Sequence, residues 1–169
     1  MEDQDEHLLT RASQGDFHSF EALLRRYEIS ILSYAFRMSG DTAQSERIFD
    51  EVFHALAEAL DSLPLPHKFD VWIFRTARRF LLRGIRETRM IRPQDVSPSS
   101  SPASKTGTGS VQIRIRDGLE SLQRSRREAL ILKVYHDLSY KDISTVLGAP
   151  VKTVNYWIEL ALSELRGRL

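Results

Sequence analysis

Apolar residues recur along this chain at steps of three and four, and no stretch sustains the two-residue alternation of a strand. Phe17, Phe20, Leu24, Tyr27, Ile31, Tyr34 and Met38 line one side of a helix, and Ser39-Gly40-Asp41 ends it. Ile48, Phe49, Val52, Phe53, Leu56 and Leu60 repeat the spacing in a second helix. The prolines of Leu63-Pro64-Leu65-Pro66 lack a donor and restrict the residue before each, so that helix stops there. A third helix is expected from about Asp70 to Arg89. Further on, Ser125 with Glu128 reads as a capping box for a helix over Ala129–Tyr135. Ser139 with Asp142 is a similar signal for Tyr140–Leu147, Gly148 suits the position just past that helix, and Pro150 suits the first turn of the next. Val151, Val154, Ile158, Ala161, Leu162 and Leu165 then form one apolar stripe. The pattern predicts an all-α protein.

Between the two groups of helices the pattern lapses. Residues 93–110 read PQDVSPSSSPASKTGTGS, with Val96 as the sole sizeable apolar residue. Such a stretch cannot bury enough surface to offset its ordering entropy. The chain therefore divides into a helical domain at 8–92, a flexible Ser/Pro/Gly linker at 93–112 and a second helical domain at 113–169. Fully extended at about 3.3–3.6 Å per residue, residues 93–110 span roughly 60 Å.

Charge sharpens the picture. The net charge is +1, but residues 1–60 hold 12 acids against 5 basic residues. Residues 71–92 hold 7 arginines against one acid, Glu87. A block this basic on a nearly neutral chain predicts an anionic partner there. In FDVWIFRTARRFLLRGIRETR (residues 69–89), Arg75, Arg79, Arg83 and Arg86 share a helix face with Arg78 beside them, among Trp72, Phe74 and Phe80. Guanidinium groups grip phosphate and aromatics stack on unpaired bases. The plainer reading, a solvated basic face over an ordinary core, accounts less well for an arginine run so free of acids.

The stretch LSYKDISTVLGAPVKTVNYWIEL (residues 138–160) has the form of a helix–turn–helix. Its second helix would offer Lys152, Thr153, Asn155 and Tyr156 to a groove. Asn pairs bidentately with adenine, and Thr or an aromatic meets a thymine methyl. That helix carries one lysine and one glutamate over 150–160, so charge alone does not separate DNA binding from protein binding.

Catalysis finds little support. His7, His18, His54, His67 and His136 are scattered away from metal-ligand spacing, and no glycine loop is built to cradle phosphate. With no cysteine there is no thiolate metal site and no disulfide framework. No apolar run approaches the roughly 20 residues of a membrane span. The opening MEDQDEH is acidic rather than signal-like, so a cytoplasmic, non-enzymatic protein without cofactor, metal or membrane insertion is expected.

Taken in order, GDFHSFEALLRRY, GD…EVF, F–W–ARR, the linker and LSYKDISTVLGAPVKTV resemble the extracytoplasmic-function sigma factors of bacterial RNA polymerase, over nearly the whole chain. The resemblance implies a sigma region two at 8–92 and a region-four helix–turn–helix at 113–169. It implies binding to core RNA polymerase through the clamp helices of the largest subunit and the flap. It implies recognition and opening of the −10 element by region two, reading of the −35 element by region four, and an anti-sigma factor as a further partner. Carried onto this chain, Glu46, Asp50, Glu51 and Phe53 correspond to the polymerase-binding helix. The loop 63–69, with Lys68 and Phe69, corresponds to the capture of a flipped base. Arg75, Arg78, Arg79 and Arg83 correspond to the grip on promoter backbone, and Lys152, Thr153, Asn155 and Tyr156 to the −35 contacts. The chain departs from the family at Gln44-Ser45, where acids are usual, at Ala57, where tryptophan is common, and at Asn155, Trp157, Glu159 and Leu162, where basic residues are usual. The alternative reading is a sigma-like interaction module that binds polymerase or an anti-sigma factor without recognising promoters.

Overall fold

A computed structural model describes residues 2–60, 68–91 and 117–167, and every element among them is helical. The helices are α1 (Glu2–Ser13), α2 (Phe17–Ser39), α3 (Thr42–Ala59), α4 (Phe69–Ile91), a short α5 (117–121), α6 (Arg124–Val134), α7 (Tyr140–Leu147) and α8 (Val151–Arg166). The linker 93–112 and residues 63–67 of the proline loop lie outside the described residues.

The caps follow from the sequence. The Asp16 carboxylate accepts from His18 N–H at 3.0 Å and Ser19 Oγ–H at 2.8 Å, which satisfies an orphan donor at the start of α2. Gly40 turns left-handed (φ 72°) and donates to Phe36 O at 2.8 Å, closing that helix. Asp41 then caps α3 by accepting from Gln44 N–H at 3.0 Å.

In the first half, Leu23, Tyr27, Ile31, Tyr34 and Met38 of α2 are buried with Ile48, Val52, Phe53 and Leu56 of α3 and Phe69, Ile73, Phe74, Ala77 and Leu81 of α4. Helix α1 adds Leu9 and Ala12 to this core, an element outside the pattern read from the sequence. Those α2 residues follow one another at steps of three or four, so a single face enters the core while Ile29 stays exposed. In the second half, Ala129–Leu132 of α6 pack against Ile143, Val146 and Leu147 of α7 and Val154, Ile158 and Ala161 of α8.

The two halves are not separate bodies. Helix α7 lies on α4 and α6 lies on α2, so their buried residues join in one cluster. The capping-box expectation is corrected here. Helix α6 begins at Arg124, five residues before the expected Ala129, with Gln123 flanking it and no side-chain cap. Ser125 and Glu128 lie inside the helix, and Glu128 turns to the first half instead. The Ser139–Asp142 signal behaves as read. Ser139 caps α7 and accepts from Asp142 N–H at 3.2 Å, and Gly148 ends it in the left-handed region (φ 67°).

Candidate nucleic-acid and polymerase interface

Helix α4 presents Arg75, Arg79, Arg83 and Arg86 to solvent at three- and four-residue steps, while Ile73, Phe74, Ala77 and Leu81 face inward. The Arg79 and Arg83 guanidinium carbons lie 4.8 and 5.1 Å from the Phe80 ring centroid, so one half-buried ring supports two cations. Arg83 also pairs with Glu51 of α3, and with Glu87 one turn along α4 at 3.6 Å. Two residues assigned from sequence to different surfaces, one for DNA and one for polymerase, thus neutralise each other.

Arg78 differs from its neighbours. It is half-buried, and its Nε donates to Glu128 Oε1 of α6 at 3.0 Å. Lys68, at the start of α4, donates to Asp142 of α7. Burial raises the Asp142 carboxyl pKa, but hydrogen bonds from Lys68 and Ser139 outweigh it and hold the group below its ordinary value. Phe69 is 3% exposed, edge-on to Tyr27 (5.2 Å between centroids) and stacked on Trp72 (6.0 Å), so it supports the surface from beneath.

Lys68, Val71, Trp72 and Arg75 form one wall of a cleft of about 310 Å³, and Lys141, Asp142 and Thr145 of α7 form the other. Trp72 was read from sequence only as one of several aromatics on the basic helix, and Lys141 carries no assignment there. The usable signal for Trp72 was its place one turn after Lys68 on the basic helix. Lys141 had no local signal, because only tertiary packing brings α7 to α4.

In α8, Val154, Ile158 and Ala161 are buried, which leaves Lys152, Tyr156 and Glu159 exposed and Thr153 and Asn155 partly so. Asn155 Nδ2 donates to Glu159 Oε1 at 2.9 Å. The α7–α8 turn is held at Ser144, whose carbonyl accepts from Gly148 N–H (2.9 Å) and Ala149 N–H (3.2 Å), while its hydroxyl donates to Ala149 O (2.6 Å). This compact turn is what lets the second helix stand free for a groove. On α3, Glu46 and Asp50 are exposed, whereas Phe53 is 5% exposed, packed on Phe20 and Phe49. Among the described residues no group of three His, Asp or Glu side chains could hold a metal ion, and no helix is long and apolar enough to cross a membrane.

Residues 23–90 match the family model for sigma-70 region 2, and residues 112–165 match that for sigma-70, region 4. The chain belongs to the sigma-70 family. Its relatives place it in the extracytoplasmic-function branch. The chain is 26% identical to the RNA polymerase sigma-H factor of Pseudomonas aeruginosa, over 90% of this chain and 87% of that protein. It is 27% identical to the sigma-E factor of Escherichia coli (89% and 86%) and 23% identical to SigW of Bacillus subtilis (95% and 94%). Its fold is similar to that of CnrH, solved in complex with the cytosolic domain of CnrY (TM-score 0.75, 22% identity, 97% and 96% covered). It is also similar to RpoE of Bartonella quintana, solved with the anti-sigma factor NepR (TM-score 0.75, 18% identity, 88% and 94% covered).

Proposed function

We propose that this chain is an alternative sigma factor in which the basic face of α4 holds promoter backbone near the −10 element and α8 reads the −35 element. It binds core RNA polymerase and directs it to promoters, and the polymerase supplies all the chemistry. The observation that carries the residue assignments is the acid-poor outward face of α4, with Arg75, Arg79 and Arg86 turned to solvent, on a chain that also carries a helix–turn–helix. In this reading 8–92 is the region-two domain, 93–112 is the tether and 113–169 is the region-four domain. Lys68 and Trp72 edge the path of the unpaired strand. Glu46 and Asp50 meet the polymerase clamp, and buried Phe53 shapes that surface from below. The protein works in the cytoplasm, where polymerase is, and an anti-sigma factor is its natural regulator.

Tethering explains how a nearly uncharged α8 can serve. Once polymerase and region two are engaged, the second half binds at high effective concentration and needs few phosphate contacts of its own. Specificity then rests on Asn155, Thr153 and Tyr156, whose polar and apolar groups suit base edges.

Run-off transcription with core polymerase and a library of genomic fragments tests this. Discrete start sites that depend on the protein are expected. Arg79→Ala should weaken all promoters alike and lower the salt slope of DNA binding by about one. Asn155→Ala should instead change which promoters are used, by the ~1–3 kcal/mol of one bidentate base contact. Unchanged transcription at every promoter in the Asn155→Ala variant would overturn the assignment of α8. A second reading, a sigma-like module that binds polymerase or an anti-sigma factor without reading promoters, draws on the Asn155–Glu159 pair, which occupies one of the amide's two donors. It predicts polymerase binding with no specific start sites.

A further inference from the structure

Glu128 belongs to the second half of the molecule, yet its hydrogen-bond partners are in the first. Its side chain is 3% exposed, and its Oε1 accepts from Tyr34 Oη–H of α2 at 2.6 Å and from Arg78 Nε–H of α4 at 3.0 Å. Three further contacts cross the same seam. Lys68 pairs with Asp142, the Arg37 guanidinium lies 3.6 Å from the Tyr135 ring centroid, and His136 packs on Phe74 (4.5 Å) and Tyr34 (6.2 Å). Two of the cations assigned to promoter DNA, Arg78 and Lys68, are therefore occupied by carboxylates of the other half. The α7 wall also narrows the space beside Trp72 and Arg75 to a cleft of about 310 Å³.

We infer that Glu128 and Asp142 act as internal stand-ins for phosphate, latching the two halves into a closed state in which Arg78 and Lys68 of region two are withheld from DNA. The inference rests on the reading of α4 as the DNA-gripping helix. The chemistry suits a latch. A buried ion pair contributes little net stability, because separating both partners into water restores their hydration. Removing one partner while the seam stays closed is costly, since the other charge is left buried. Promoter phosphate offers Arg78 the same kind of charge-assisted hydrogen bond as Glu128, so DNA and the second half compete for one guanidinium.

The chain has no cysteine, so two introduced at exposed Ala57 of α3 and Ser163 of α8 give unique spin-label sites. Pulsed electron resonance on the free full-length protein should show one narrow distance. Glu128→Gln keeps the shape of the side chain but removes its charge, and should add a broad population at longer distance. The same variant should bind a mixed-sequence DNA duplex more tightly by about tenfold, the lower end of the ratio that a hydrogen bond to a charged group commands. Tyr34→Phe removes the other donor and is the second variant, with circular dichroism confirming that each remains folded. Unchanged distances in the folded variants overturn the latch. Longer distances without tighter DNA binding overturn the withholding of Arg78. Neither result depends on promoter choice. The functional reading fails separately, if wild-type protein with core polymerase gives no specific transcripts.

Discussion

Single residues settle the local geometry of the helix–turn–helix, and Gly148 is the clearest. Its φ of 67° is in the left-handed region, and a Cβ placed there would meet nothing within 4 Å. The penalty for a side chain is therefore purely conformational. Gly148→Ala should lower stability by about 1–2 kcal/mol, the cost of putting an L-residue in that region. Urea denaturation would show this as a reduced midpoint at unchanged slope, and an unchanged midpoint would mean that the turn relaxes freely. This position was legible in the sequence, because a glycine at the end of an apolar-periodic run has few other uses. Glu128 was misread by the same logic. A serine and a glutamate three residues apart make a capping box only if the serine flanks the helix start, and α6 has already begun at Arg124, ahead of Ser125. Local spacing could not show that the carboxylate is turned toward a residue 94 positions away.

At the scale of elements, periodicity recovered α2, α3, α4 and α8, since each keeps one continuous apolar face, and the Ser139 cap with Gly148 marked α7. It overlooked α1, which brings only Leu9 and Ala12 fully into the core and carries polar residues elsewhere. Polar contacts fix α1 instead. Asp5 is 6% exposed, and its carboxylate accepts from Tyr27 Oη–H and from Arg26 Nη1–H of α2, each at 2.6 Å. Burial, and then the Asp5 hydrogen bond and charge, push the Tyr27 hydroxyl well above its ordinary pKa, so it remains a donor. Asp5→Ala should detach α1 and cost about 1–3 kcal/mol, the penalty for leaving a buried donor unsatisfied. Asp5→Asn keeps an acceptor for Tyr27 and should cost less. Hydrogen exchange over 2–13 would report the detachment directly, and equal protection in Asp5→Ala and wild type would refute it. The site was legible at this scale as well. An arginine run shows its exposed face in one dimension, whereas the pairing of Arg83 with Glu51 requires α3 and α4 to be seen side by side.

The arrangement of the whole molecule was not legible. A Ser/Pro/Gly linker specifies reach and leaves docking undetermined, and the docking residues, Tyr34, Glu128, Lys68, Asp142 and His136, carry no local signal of their partners across the seam. His136 offers a way to measure the seam. It is wedged between Tyr34 and Phe74, and its Nε2 is buried without a hydrogen-bond partner among the described residues. Burial, and then the Arg37 guanidinium, push its pKa down to about 4 from an ordinary value of 6.5. The unfolded chain therefore takes up this proton before the folded one does. Its contribution should make the folded protein less stable as pH falls from about 6.5 to about 4, with no further loss from this group below that. Asp142, whose folded pKa lies below an ordinary value of 3.8, adds its own loss only toward the acid end of the window, as the unfolded carboxyl begins to protonate. Thermal unfolding of wild type and His136→Phe across this range separates the two groups. The phenylalanine variant, which keeps an aromatic ring between Tyr34 and Phe74, should show a shallower decline. Parallel declines in the two proteins would mean that the histidine is already solvated, and hence that the halves part more readily than the buried seam implies.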